Sequence, residues 1–187
     1  MNDITSLTNH FLIAMPNLGD PNFFRTVTLI CEHNSEGAMG IVINRPLDMA
    51  LGEVLMQMEL SADSPAIADR PVYLGGPVHT DRGFVLHRPV QSWNSTIAVT
   101  AAVAVSTSRD ILEAIARGQG PQDALVALGY AGWSAGQLEN EIAQNAWLSG
   151  PADLDIVFKT PPELRWHSAA ALLGIDLVSI SHDVGHA

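Results

Sequence analysis

Three observations in this 187-residue chain predict an α+β fold. Short apolar runs, several alternating with polar residues and separated by Gly- and Pro-bearing turns, fill most of the first half. Helical spacing with capping residues dominates the second half. The two kinds of segment do not alternate as βαβ units would, so hairpins and helices on a mixed sheet are expected.

Residues 10–15 form a short apolar strand stopped by Pro16, and Gly19, Asp20 and Pro21 mark the loop 17–25. The organising stretch is CEHNSEGAMGIVINRP, residues 31–46. Strands over 26–33 and 39–44 flank the polar turn Asn34-Ser35-Glu36-Gly37. Gly37 can take the left-handed backbone such a turn demands, and Gly40 leaves room for a bulge or a closely passing chain. Pro46 closes the hairpin, because it has no N–H for a ladder. Asp48 is positioned to cap a helix reaching about residue 58, with Leu51, Val54, Leu55 and Met58 on one face. The polar stretch 61–70, holding Pro65, reads as an exposed, mobile loop. A strand at 71–74 precedes Gly75-Gly76-Pro77, and strands at 83–87, 96–99 and 103–105 follow.

Thr107 with Asp110 resembles a capping box opening a helix over 108–117, with Ile111, Leu112 and Ile115 inward and Gly118 as its stop. Gly120-Pro121 is expected to open another helix that ends at Gly129. Residues 130–133 read as a short strand or turn. Ser134 and Gln137 form an S-x-x-Q box ahead of Leu138 and Ile142. Strands are expected at 146–148 and 154–158, and a last helix over 162–173. No repeat, low-complexity tract or linker divides the chain, so one domain over 1–187 is expected.

Nine basic residues stand against twenty acidic ones, a formal charge of −11 spread evenly over the two halves. A nucleic-acid surface needs clustered Lys or Arg to displace counterions from phosphates, and an anionic membrane surface needs the same. Neither partner is expected. The first basic residue is Arg25, so no charged segment precedes an apolar core as in a secretory leader. The longest apolar run, 97–105, is far short of the ~20 residues of a spanning helix. A single cysteine permits no intrachain disulfide. Together these features predict a cytoplasmic protein.

Cys31, Glu32 and His33 invite a nucleophile or metal reading. Strand alternation instead places Cys31 with Val27 and Leu29, the setting of a small buried hydrophobe. No CxxC, HxxxH or HExxH accompanies it, so neither a metal nor a cofactor is implied. Arg25, Asn44 and Arg45 fall at the other end of the hairpin, ~20 Å or more from His33 at ~3.3 Å per strand residue. Two arginines and an amide could hold an anion or carboxylate there; the structural alternative pairs them with Asp20 or Asp48. Asp81-Arg82 reads as a turn ion pair and joins the ligand- or partner-binding candidates. Gly75-Gly76-Pro77 lacks the N–H groups and following helix of a phosphate loop and reads as a close backbone approach.

Ordered blocks through the chain resemble the AlgH/YqgE family of bacterial cytoplasmic proteins. They include HFLIAMP (10–16), DPNFFRTVTLICEH (20–33), GAMGIVINRP (37–46), YLGGPV (73–78), DRGFVLH (81–87), SRDILEAIARGQGP (108–121), LGYAGWSAGQLENEI (128–142), NAWL (145–148), LGID (173–176) and GHA (185–187). The resemblance implies an α+β fold whose bifurcated mixed sheet curls into a pseudo-barrel with helices packed around it. It brings no reaction or catalytic residues. The family's association with transcriptional regulation, alginate production among it, implies an indirect role for a chain this acidic and lacking a helix-turn-helix. The expected function is a binding or regulatory module acting through a protein partner or small ligand. The alternative is an enzyme using Arg25, Asn44 and Arg45.

Overall fold

The computed structural model describes residues 5–177. In chain order these form β1 (His10–Ala14), β2 (Val27–Asn34), β3 (Gly37–Val42), β4 (Pro46–Ala50), α1 (Leu51–Gln57), α2 (Pro65–Ala68), β5 (Pro71–Leu74) and β6 (Val78–Arg88). Then come β7 (Thr96–Ala98), β8 (Ala104–Ser106), α3 (Arg109–Ala116), β9 (Asp123–Ser134), α4 (Gln137–Ala143) and β10 (Trp147–Pro151). The described chain closes with α5 (Leu154–Phe158), a 3₁₀ turn at Pro162–Leu164 and α6 (Arg165–Leu172). The class is α+β on a mixed sheet, as expected. The GHA block at 185–187 lies outside the described residues.

Two compact units are present: one holds the residues up to Asn44 and those from Ala131 onward, the other runs from Arg45 to Tyr130. In the first, the strand order is β10-β1-β2-β3 followed by the end of β9, all antiparallel. The central hairpin turns tightly, with Asn34 opposite Gly37. Gly37 has φ of +139°, and an added Cβ would sit 2.3 Å from the Trp133 carbonyl oxygen. Any side chain there is excluded both by conformation and by space. Between Ile30↔Gly40 and Glu32↔Met39 the register shifts, so Cys31 is the extra residue of a β-bulge. The bulge changes the alternation that sequence spacing alone assumes: Ile30, Cys31 and His33 are all buried while Glu32 and Asn34 are exposed. A core of Leu12, Ile30, Trp133, Leu138 and Trp147 packs α4 against this sheet.

In the second unit, β6 pairs with β9 and β8, and β7 with β8, all antiparallel. Strand β5 joins β9 in parallel through Tyr73↔Ala127 and Leu74↔Leu128. Strand β9 therefore takes β5 at its middle, Ala127 and Leu128, and β3 along its last residues, the bifurcation expected. Helices α1, α2 and α3 bury Leu51, Leu55, Ile67, Ile111 and Ile115 against Val85 and Val126. Each such side chain contributes about 1.5–3 kcal/mol of apolar burial.

Four segments differ from expectation. Residues 121–129 are not a helix; from Asp123 on they are the body of β9. Leu125, Val126 and Ala127 form an apolar run buried on both faces, which by itself suits a helix or a central strand. Residues 154–158 are α5 rather than a strand, because Asp153 accepts the Asp155 N–H at 2.9 Å and caps a turn that buries Ile156 and Val157. Residues 61–70 are not a plain loop: Ser64 accepts the Ile67 N–H, Pro65 occupies the first helical position and Ile67 is buried. Pro46 starts strand β4 opposite Tyr73 instead of ending the ladder, and α1 starts at Leu51 rather than at Asp48. Its N-cap is Ala50, whose N–H is accepted by the carboxylate of Glu53, the third helical residue.

Candidate functional site

The two ends of the central hairpin are both engaged by structure. Cys31 is buried, and burial, followed by the neighbouring Glu32 charge, pushes its thiol up to about 12. No thiolate nucleophile is present at neutral pH. The buried His33 ring accepts the Leu7 N–H on Nδ1 at 2.9 Å. Its Nε2–H therefore donates to Glu139 of α4, and that bond holds the Glu139 carboxyl below its usual range. Both ring nitrogens are committed, so His33 has no lone pair for a base. No sequence signal joins residues 33 and 139.

At the other end the Asn44 side chain meets the Arg25 backbone. Asn44 Oδ1 accepts the Val27 N–H at 2.8 Å and its Nδ2 donates to the Arg25 carbonyl at 2.9 Å. The exposed Arg25 guanidinium carbon lies 5.2 Å from the Phe24 ring centroid and 5.3 Å from that of Trp166. Asp20, the expected ion partner, instead accepts the Asn22 N–H within its own loop. Arg45 opens the other unit, where its carbonyl accepts the Leu74 N–H.

The unit from Arg45 to Tyr130 contains a cavity of 420 Å³. Its floor is apolar, from Val54, Met58, Leu112, Val126 and Leu128, and its rim carries Gln57, Thr80, Asp81, Thr107, Ser108 and Arg109. Local geometry explains the rim. Val78 pairs with Tyr130 and Gly83 with Leu128, so His79 to Arg82 bow out of the ladder. Gly129 permits this: its φ is +78°, and a Cβ there would lie 2.5 Å from the Gly76 carbonyl oxygen. The Gly-Gly-Pro stretch is thus a site of close backbone approach. The bowed segment delivers Thr80 and Asp81 to the rim, while Arg82 turns to Phe84, 6.0 Å from its ring centroid. Among the described residues Asp81 and Arg82 form no ion pair, which corrects that expectation. Across the cavity, Ser108 donates to Asp110 Oδ1 at 2.5 Å. Burial raises the Asp110 pKa, but the hydrogen bonds from Ser108 and the Asn94 and Ile111 amides outweigh it and leave it lowered. Arg109 is paired with Glu113 at 2.9 Å.

A family model described as AlgH-like, DUF179, matches residues 11–178. This chain belongs to the AlgH-like family. Among its relatives, a UPF0301 protein of Thioalkalivibrio sulfidiphilus is 63% identical over 183 residues, covering 98% of each chain. The solution structure of the AlgH protein from Pseudomonas aeruginosa superposes with a TM-score of 0.81 at 53% identity, covering 100% of this chain and 99% of that one. A crystal structure of a Corynebacterium diphtheriae protein, 19% identical with a TM-score of 0.71 over 95% and 92% of the two chains, shares the fold.

This AlgH-like chain also contains a buried hydroxyl–imidazole pair that sequence reading passed over. His87 Nδ1–H donates to the Pro89 carbonyl, so Nε2 accepts the Ser106 hydroxyl at 2.7 Å. Ser106 in turn meets Thr96 Oγ1 at 2.8 Å. His87 and Ser106 are fully buried, so no substrate reaches the oxygen. Burial lowers the His87 pKa. The pair ties β6 to β8, the register being Val85↔Ser106 and His87↔Ala104. No three His, Cys, Asp or Glu side chains converge as metal ligands among the described residues.

Proposed function

We propose that this chain is a binding module whose Arg45–Tyr130 unit takes a small ligand with an apolar body and a hydrogen-bond-donating head. The 420 Å³ cavity carries this reading, since an apolar floor under a few convergent polar groups is the usual form of a ligand site. The donor head follows from the rim. Arg109 is already paired with Glu113, whereas Asp81 is exposed and forms no ion pair among the described residues. Hydroxyls of Thr80 and Ser108 add orientation. Binding is favoured over catalysis because Cys31 is held as a thiol, both nitrogens of His33 are committed and Asn44 serves the backbone. A regulatory role in the cytoplasm, exerted through ligand or partner rather than direct contact with DNA, fits the −11 charge and scattered bases.

Phenethylamine and 3-phenylpropionate, matched in size and opposite in charge, test this by NMR titration. The amine is expected to shift the amides of Leu112, Val126 and Thr107, and the carboxylate to leave them in place. Gly83→Val should weaken the shifts, because a Cβ at Gly83 meets only Leu112 Cδ1, at 3.8 Å, and the larger side chain takes up part of the cavity without backbone strain. Equal response to both probes, or undiminished binding by the Gly83 variant, overturns the reading.

A further inference from the structure

Arg25 belongs to the unit that does not hold the cavity. Arg25 sits in the left-handed region at φ +54°, a conformation that costs a non-glycine residue energy and persists only where surroundings impose it. Here Asn44 imposes it, bonding the Arg25 carbonyl and the Val27 amide on either side of Thr26. The preceding turn is equally fixed: the Asp20 carbonyl accepts the Phe23 and Phe24 amides, and the Phe23 carbonyl accepts both the amide and the hydroxyl of Thr26. Trp166, over which the guanidinium stacks, is buried and anchored by its Nε1–H to the Ala14 carbonyl at 3.0 Å.

The guanidinium carbon lies over the Phe24 and Trp166 rings, cation–π contacts that use none of its N–H donors, and those donors are what a planar anion pairs with. Among the described residues the Arg25 side chain makes no hydrogen bond or ion pair, although the chain holds twenty carboxylates. Phe24 beside it is 46% exposed. We infer that Phe24 and Arg25 form a docking surface for an acidic peptide segment of a partner protein. An Asp or Glu carboxylate meets the guanidinium edge, and an adjacent apolar residue covers Phe24. A polyanion is disfavoured, because the net charge of −11 repels every phosphate beyond the first contact.

The test is NMR titration of the full chain, following the Arg25 Nε–H and Phe24 ring signals. The probe is acetyl-Leu-Glu-Leu-amide, with its Gln counterpart, acetyl-Leu-Gln-Leu with a free carboxyl terminus, and inorganic phosphate as comparisons. The Glu peptide is expected to shift both signals saturably, and the Gln amide to fail. Arg25→Lys, which keeps the charge and loses the fork, should weaken binding about tenfold or more. Arg25→Gly should abolish it without lowering the melting temperature, since glycine adopts φ +54° freely. Binding of the free-terminus peptide or phosphate alone, equal binding of Glu and Gln peptides, or undiminished binding by Arg25→Gly overturns the inference.

Discussion

Replacing Asn44 by Ala removes one side chain and two bonds, and the cost follows from where each bond lies. The Val27 N–H at 2.8 Å belongs to a fully buried residue, so its loss leaves an unsatisfied donor costing about 1–3 kcal/mol. The Arg25 carbonyl at 2.9 Å belongs to an exposed residue and can turn to water, so that bond accounts for about 0.5–1.5 kcal/mol. Asn44→Ala should therefore destabilise by about 1.5–4.5 kcal/mol, read as the shift in urea unfolding free energy. In a thermal melt each kcal/mol corresponds to about 2–4 °C for a chain of this size. Asn44→Asp retains the acceptor for Val27 and loses the donor to Arg25, so it should fall between wild type and Ala. A change within about 0.5 kcal/mol for Asn44→Ala, the range of ordinary surface substitutions, would refute the account of this amide as the clamp on Arg25.

Two further outcomes are expected. Burial lowers the His87 pKa, so the unfolded chain binds the proton more readily; the stabilisation is complete above the unfolded value of ~6.5 and is lost as pH falls below it. Urea midpoints measured from about pH 8 to 5 should decline on the acid side by at most about 1.4 kcal/mol per unit from this group, and His87→Gln should flatten that part of the curve; an unchanged slope in the variant would count against it. Cys31, with its thiol pushed to about 12 under burial and the Glu32 charge, should label slowly in the native chain and fast in denaturant. Rapid native labelling at neutral pH would contradict its placement.

Where one local rule decides a segment, the sequence alone was enough. The Asn34 to Gly37 turn, the inward face of α3 with Ile111, Leu112 and Ile115, and the Gly118 stop are products of backbone sterics and 3.6-residue spacing. Family membership was legible too, because it rests on ordered blocks rather than on packing. The tertiary structure decided what depends on residues far apart. Leu125 to Ala127 became strand because β6 supplied ladder partners along all three and β5 a second one at Ala127, which no window around them contains. The Cys31 bulge is set by the register against Gly40, and it sends His33 to Glu139, 106 residues away. Asp81 was legible as a candidate but not as part of a cavity wall, since its place opposite Ser108 comes from the bowed β6 segment over Gly129. Arg25 stood out as the first base of an acidic chain; that its guanidinium stacks on Trp166 while its donors stay unpaired among the described residues follows only once α6 is folded onto β1 and β2. Local sterics act over a turn or a strand pair, whereas a site is assembled by long-range pairing whose energy no local stretch encodes.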